Sequence, residues 1–289
     1  MTPAVAGDHC EAADGHHWTL ATALPARPLA RLLWLPALGV AARHYLPLAQ
    51  ALSAHGIATY LHEWRGHGSS SLRPGRDQDW GYARLLEQDL PASLAALTDD
   101  VLLCIGGHSL GGQLACCLAG LHPQRVSGLL LVATGTPHWR SFPMPLRWAL
   151  PAAYRLLPWL AQRHGVLRGR RLGFGGTEAR SLIADWARVG RTGRYAAAGS
   201  RHDLEAGMAS LHLPVEAVLL ADDWLAPASS LHGLLAHLPH AQARIHCLDS
   251  AALRVRADHF SWMQTPEKLA SILASGVTGK ISQKNEKRC

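Results

Sequence analysis

The stretch CIGGHSLGGQLACC, residues 104–117, places one serine, Ser109, between an apolar run and a helix-like run. The preceding VLLCIGG has the composition of a buried strand, and the following GGQLACCLAGLH has that of a helix. Gly107 and Gly111 stand two positions before and two positions after the serine. A sharp strand-to-helix turn needs small residues at these positions, because the strand and the helix approach closely there. The stretch therefore predicts either a strained turn that presents Ser109 or an ordinary glycine-rich turn.

Short apolar strands alternate with amphipathic helices on both sides of this turn. Before it lie LARLLWLP, the helical YLPLAQALSAHG and IATYLHE; after it come VSGLLLVAT, VEAVLLA and ARIHCL. Such alternation is typical of a mostly parallel sheet with helices on both faces. It stops in a segment rich in Trp, Pro, Arg and Leu, and then resumes. We therefore expect an α/β core formed by residues 15–135 and 211–276, an inserted helical lid at 136–210, and flexible termini at 1–14 and 277–289.

Two later loops carry the acid and the base that a nucleophilic serine requires. A serine hydroxyl is a poor nucleophile, so Ser109 would need a base and an acid that orients this base. In a parallel sheet, these groups belong just beyond the carboxyl ends of later strands. Asp222 and Asp223 directly follow VEAVLLA, and His259 follows ARIHCL within RADHFSWM. The D-x-x-x-P spacing to Pro227 favours Asp223, which predicts Ser109, Asp223 and His259 as catalytic residues.

Four motifs lie together in this chain: RGHGSS, GGHSLGG, DWLAP and DHFSW. In combination they resemble the α/β-hydrolase superfamily, and the resemblance covers nearly the whole chain outside the termini. RGHGSS and the histidine before the serine look like the monoacylglycerol-lipase and serine-aminopeptidase branches. The stretches LLWLPALGVAARHY and RRLGFGGTEAR look more like little-characterised bacterial predicted serine hydrolases. The resemblance implies an α/β-hydrolase fold with a nucleophile elbow at Ser109, and it implies neither a cofactor nor a metal.

The resemblance also implies two backbone donors for the oxyanion of an acyl-transfer reaction. By position these are the N–H groups of Leu38 and Leu110. Many relatives carry His-Gly in the loop after the third strand, whereas this chain has Pro36 and Ala37 there. Because the donor is a backbone N–H, the change of side chains need not matter.

The activity implied is that of a carboxylesterase- or lipase-like serine hydrolase acting on a small acyl compound through an acyl-enzyme. An acyltransferase is one alternative, since it would use the same residues and exclude water from the acyl-enzyme. A non-catalytic ligand-binding relative is another, although a pure binder has no use for a complete triad. Ester, thioester, amide and carbon–carbon bonds all remain open as the bond that is cleaved.

The lid segment concentrates positive charge and aromatic rings. Between Arg140 and Arg201 the chain has twelve arginines and only two acidic residues, Glu178 and Asp185. An apolar, aromatic lid with a basic rim suits an acyl substrate that carries an anionic group, or transient contact with an anionic membrane surface. Solvated arginines on an ordinary lid are the alternative.

Composition argues against several other classes of protein. The net charge of +7 comes mostly from scattered arginines without a recognisable nucleic-acid-binding motif, so we expect no nucleic-acid partner. No apolar run approaches the length of a membrane span, and the first residues lack the features of a signal peptide. The six cysteines form no C-x-x-C pair, which favours buried thiols in a reducing compartment. A cytoplasmic protein is therefore expected, with its oligomeric state open.

Overall fold

The computed structural model describes residues 7–97, 101–172 and 175–286. The strands in this part of the chain are β1 (Gly7–Glu11), β2 (His17–Ala23), β3 (Ala30–Leu35), β4 (Ile57–Leu61), β5 (Leu102–His108), β6 (Gly128–Val132), β7 (Val166–Arg168), β8 (Thr177–Ala179), β9 (Pro214–Leu220) and β10 (Gln242–Leu248). Eight of them form one sheet in the order β1-β2-β4-β3-β5-β6-β9-β10, and β7 pairs with β8 separately.

The helices in the described residues are α1 (Leu46–Ala54), α2 (Tyr82–Arg84), α3 (Leu90–Ala95), α4 (Leu110–Leu121), α5 (Leu146–His164), α6 (Arg180–Thr192), α7 (Leu204–Ala209), α8 (Ala228–Leu235), α9 (Ser250–Leu253) and α10 (Glu267–Glu286). α1 and α10 pack on one face of the large sheet, where Leu52 and Leu273 share a core. α4, α7 and α8 contribute Leu114, Met208 and Leu231 to the core on the other face. The sheet is thus covered by helices on both faces, as predicted.

The parallel register brings the carboxyl ends of the central strands to one edge of the sheet. In the eight-stranded sheet, each neighbouring pair in the run β4-β3-β5-β6-β9-β10 is parallel. β1 with β2 and β2 with β4 are antiparallel. Leu35 pairs with Gly107 at the ends of β3 and β5, and Leu220 pairs with Leu248 at the ends of β9 and β10. The residues that follow β5, β9 and β10 in the sequence therefore meet at this edge: Ser109, Asp223 and His259.

Both ends of the core extend further than the sequence indicated. Residues 7–14, expected in a flexible terminus, instead begin with β1, which pairs antiparallel with β2 and buries Cys10. The sequence of β1, GDHCE, is short and polar because a single side chain faces the core, so it shows no apolar pattern. α10 likewise runs to Glu286, and Val277 is buried. The other expected terminal residues, 1–6 and 287–289, lie outside the described residues.

The segment at 136–210 that the sequence predicts as a lid contains α5, α6, α7 and the β7–β8 hairpin, a pairing that the sequence analysis did not predict. α7 packs against α4, and a Cβ placed on Gly120 would lie only 2.6 Å from the backbone carbonyl carbon of Gly207. Two glycines allow this close approach of α7 to a helix that covers the sheet.

Candidate active site

Ser109 occupies a strained turn between β5 and α4. Its backbone has φ 55° and ψ −120°, a region that residues with a Cβ adopt only at a cost. A Cβ on Gly107 would lie 2.4 Å from the carbonyl carbon of Gly111, and a Cβ on Gly111 would lie 2.0 Å from the carbonyl oxygen of Leu35. Only glycine fits at either position. Of the two turns that the sequence allows, the structure has the strained one.

His259 and Asp223 form a buried hydrogen-bonded pair. The distance between His259 Nδ1 and Asp223 Oδ2 is 2.7 Å, and both residues are 6% exposed. A carboxylate only accepts, so Nδ1 carries the proton. The other carboxylate oxygen of Asp223 accepts hydrogen bonds from the N–H groups of Leu225 and Ala226 at 2.9 and 3.2 Å. Asp222, by contrast, is exposed, so the structure brings Asp223 rather than Asp222 to His259.

An apolar cavity of about 220 Å³ has both Ser109 and His259 in its wall. The core and the lid contribute mostly apolar side chains to this wall, including Leu110, Phe142, Leu146, Leu150, Tyr154, Leu157, Trp186 and Trp224. Within the part of the chain that the structure describes, no Asp, Glu, Lys or Arg side chain lines it. Such a cavity accommodates an acyl chain and excludes ions.

Two backbone N–H groups in the wall of this cavity have no acceptor among the described residues. Leu110 is the first residue of α4, where a helix leaves its N–H groups without intrahelical partners. Leu38 lies in the turn after β3, and its N–H makes no hydrogen bond with any described residue. Both residues line the apolar cavity. This is the arrangement in which two N–H donors can stabilise a negative oxygen that develops next to Ser109.

The loop after β3 is fixed by two aromatic side chains. Trp64 Nε1 donates a hydrogen bond to the carbonyl oxygen of Pro36 at 2.9 Å. The N–H of Ala37 donates to the hydroxyl of Tyr45 at 2.9 Å, and this hydroxyl lies 2.8 Å from His108 Nδ1. Because the hydroxyl accepts from Ala37, its proton is free for His108, whose own proton then sits on Nε2. The sequence gives no local sign of this contact, which joins residues far apart in the chain.

His108 supports His259 without adding charge. The two rings lie 4.7 Å apart between centroids, and His108 is fully buried. Burial and, secondarily, the nearby His259 hold the pKa of His108 well below its ordinary value. His108 therefore packs against the His259 ring without adding a charge beside it. Its side chain serves packing and hydrogen bonding within the protein.

A second Ser-His-Asp arrangement lies at the start of β2, which His16 directly precedes. Ser70 Oγ is 2.9 Å from His16 Nε2, and His16 Nδ1 is 3.2 Å from Asp89 Oδ1. All three residues are buried, and the Arg65 guanidinium binds Asp89 at 2.6 and 2.8 Å. Ser70 Oγ also accepts a hydrogen bond from the N–H of Gly66. These contacts use the polar atoms of the three side chains within the protein, and burial leaves no room for a substrate at the Ser70 hydroxyl.

The Tyr45 contact predicts a measurable loss of stability. Tyr45→Phe leaves a buried N–H and a buried imidazole nitrogen unpaired, so we expect the free energy of unfolding to fall by about 2–4 kcal/mol. Tyr82→Phe is the matched control, because the buried Tyr82 hydroxyl makes no hydrogen bond with a described residue. Urea unfolding of both variants checks this prediction, which equal losses would contradict.

Comparison with known proteins identifies the family. The family model described as serine aminopeptidase, S33, matches residues 26–252. A hydrolase from Pseudomonas aeruginosa PA01 has a TM-score of 0.65 at 20% identity, over 95% of this chain and 99% of that one. A structure from a study of carboxylesterases of Nitrososphaera gargenis has a TM-score of 0.65 at 16% identity, over 96% and 100%. The thioesterase domain from the curacin biosynthetic pathway has a TM-score of 0.61 at 17% identity, over 93% and 99%. These structures share the α/β-hydrolase fold, and because the family model spans most of the chain, this hydrolase belongs to the serine aminopeptidase S33 family.

Proposed function

We propose that this hydrolase cleaves an ester or a related acyl compound through an acyl-enzyme formed on Ser109. The observation that carries the proposal is the placement of Ser109 at a strained turn that opens on an apolar cavity, beside the buried His259–Asp223 pair. The apolar wall takes the acyl chain, while the carbonyl lies at Ser109. Leu150 of α5 and Trp186 of α6, both in the predicted lid, contribute to this apolar wall.

In the proposed reaction, His259 Nε2 accepts the hydroxyl proton of Ser109 as the oxygen attacks the carbonyl carbon. Asp223 holds the imidazole in the correct tautomer and stabilises its positive charge. The N–H groups of Leu38 and Leu110 bind the oxyanion, and the amino end of α4 adds a favourable dipole. His259 then protonates the leaving group, and water activated by the same imidazole releases the acid. Ser109 Oγ has no hydrogen-bond partner among the described residues, so its bond to His259 forms with substrate in place.

The first test is covalent labelling. An organophosphonate probe should label the wild type and fail to label Ser109→Ala, whose ester turnover should fall by several powers of ten. Ser70→Ala is the control, because it removes the serine of the buried Ser-His-Asp arrangement and should leave labelling intact. Chromogenic esters of graded acyl length, with and without an alcohol acceptor, measure turnover and show whether water or the alcohol receives the acyl group. Labelling or full turnover in Ser109→Ala would exclude the proposed nucleophile.

The adjacent aspartates provide a second test. Asp223→Asn replaces the acceptor of the His259 proton, and loss of the correct tautomer should lower kcat by about four powers of ten. Asp222→Asn changes the same charge one residue away, on an exposed side chain, and should leave kcat within about twofold. Steady-state kinetics on one ester compare the two variants. The reverse order of losses would reassign the acid without changing the enzyme class.

We further propose that the outer face of α5 rests transiently on an anionic membrane surface. Trp148, Leu156 and Trp159 are 75%, 53% and 61% exposed, and their spacing places them along one side of the helix. Arg155 and Arg163 are exposed on the same helix, whose described residues include no acidic side chain. Exposed tryptophan with arginine matches the interface of a bilayer with anionic headgroups. No helix among the described residues is long and apolar enough to cross a membrane.

Vesicle binding tests this contact. Wild-type protein should sediment with phosphatidylglycerol vesicles, more weakly in high salt, and little with phosphatidylcholine alone. Trp148→Gln with Trp159→Gln should weaken the binding about tenfold or more, because two interfacial anchors are lost. Leu24→Gln with Ile245→Gln removes exposed apolar side chains from other surfaces and should bind as the wild type does. Equal weakening in both pairs would contradict a specific role for α5.

A further inference from the structure

A basic pocket lies beyond the loop that carries Leu38. Its volume is about 380 Å³, and Gly39, the next residue, lies in its wall. Five cationic or titratable side chains from three separate segments line it: Arg43, His44, His67, Arg73 and Arg170. Arg170 is the lid arginine among them; the other four come from the core.

The arginine charges in this pocket are not neutralised by direct contacts. Arg43 and Arg170 are exposed, and neither guanidinium group makes a hydrogen bond or a salt bridge with a described residue. The Arg73 guanidinium donates only to backbone carbonyls of its own loop, including Gly68 at 2.9 Å and Leu72 at 2.7 Å. These bonds hold its cation in place without a carboxylate.

Two acidic residues lie near this pocket, and their oxygens are already engaged. Glu63 is buried and accepts hydrogen bonds from the N–H groups of Ala42 and Ser69. Glu178 is also buried, and it lies 3.3 Å from His67 Nε2. Neither carboxylate forms a salt bridge with Arg43, Arg73 or Arg170 among the described residues, although the positive charge of Arg43 partly offsets the rise that burial causes in the pKa of Glu63. The guanidinium groups of Arg43 and Arg170 therefore remain available to a ligand.

Arg43 and Arg170 both line the basic pocket. Arg43 precedes α1, whereas Arg170 belongs to the predicted lid, so the fold brings them to one pocket from distant parts of the chain. Both also act on His44, whose pKa is lowered by burial and then by the positive charges of Arg43 and Arg170. Guanidinium groups in the wall of a pocket are donors suited to the oxygens of a phosphate or carboxylate.

A surface trough shares one lining residue with the basic pocket and one with the apolar cavity. The trough has a volume of about 310 Å³, and both Phe260 and His44 lie in its wall. Phe260, 44% exposed, also lines the apolar cavity, and His44 also lines the basic pocket. Phe260 and His44 therefore mark the route along which we expect a molecule bound at Ser109 to extend toward the arginines.

We propose that the basic pocket binds a phosphate or carboxylate carried by the leaving group of the acyl substrate. The acyl chain then fills the apolar cavity, and the alcohol or thiol part follows the trough to Arg43, Arg73 and Arg170. This assignment rests on the proposed function, and it narrows the substrate to acyl compounds whose leaving group ends in an anion. From the sequence, we expect the basic lid to suit a substrate with an anionic group. We place the binding site for this group in the basic pocket, because no arginine among the described residues lines the apolar cavity.

A matched pair of esters tests this assignment. Both carry the same acyl chain and the same alcohol spacer, which ends in a phosphate in one ester and in a hydroxyl in the other. Arg43→Gln with Arg170→Gln should lower kcat/KM for the phosphate ester about tenfold or more, mainly through KM, and leave the hydroxyl ester within about twofold. Arg191→Gln with Arg201→Gln is the control, since it removes the same charge from exposed residues outside the pocket.

Inorganic phosphate distinguishes a pocket that binds an anion on the leaving group from a pocket that binds a free anion. It should raise KM for the phosphate ester and leave the hydroxyl ester unchanged. If phosphate alters hydrolysis of the hydroxyl ester, and the Arg43→Gln/Arg170→Gln variant abolishes this effect, the pocket serves a free anion and the leaving-group assignment is wrong. Equal kcat/KM values for both esters in the wild type, or equal losses in both variant pairs, would also overturn it.

Calorimetry keeps this inference separate from the proposed function. Inorganic phosphate titrated into the wild type should bind, and it should not bind to Arg43→Gln/Arg170→Gln; absence of binding in the wild type would overturn the pocket. Hydrolysis of the hydroxyl ester and its loss in Ser109→Ala test the enzyme alone. An active enzyme without anion preference would therefore refute the pocket only, whereas failure of Ser109→Ala to lose activity would refute the proposed function.

Discussion

The close approach of α4 to the end of β3 is the constraint on which the site depends. A side chain at Gly111 would collide with the carbonyl oxygen of Leu35, so glycine lets the helix begin directly against the neighbouring strand. This contact puts the first N–H of α4 beside the loop that follows β3. Leu110 and Leu38 thereby both line the cavity that contains Ser109. The strained turn at the serine and the position of the two donors that we propose therefore depend on the same packing contact.

Residues whose role is dictated by local backbone were predictable from the sequence. Gly107 and Gly111 predicted the tight turn, because only glycine fits at these two positions. The spacing from Asp223 to Pro227 is a recognisable motif, and it favoured Asp223 over Asp222 as the partner of His259. Contacts between distant segments left no such pattern. The hydrogen bonds of Tyr45 with Ala37 and His108 form only when three separate segments pack together. The strand β1 was not predicted, because it buries a single side chain and so has no apolar pattern. The arginines of the basic pocket likewise converge from three segments.

The two Ser-His-Asp arrangements show that these three residue types do not by themselves distinguish an active site from a structural network. In both, a histidine is hydrogen-bonded to a buried aspartate. Around Ser70 the aspartate also binds Arg65, and the hydroxyl is enclosed by protein. Around Ser109, the partners of the aspartate among the described residues are two backbone N–H groups and the imidazole, and the serine borders a cavity. Access and free donors, rather than the three residue types, distinguish the site that we propose from a structural network.

The apolar wall of the cavity has a consequence for the end of the proposed reaction. The bound acyl compound is uncharged at its carbonyl, but hydrolysis converts this carbonyl into a carboxylate. No lysine or arginine among the described residues lines the cavity to receive that charge. An unpaired carboxylate is strongly disfavoured in apolar surroundings, whereas water solvates it well. The same wall that retains the acyl chain before cleavage therefore favours departure of the acid afterwards, which keeps product inhibition weak.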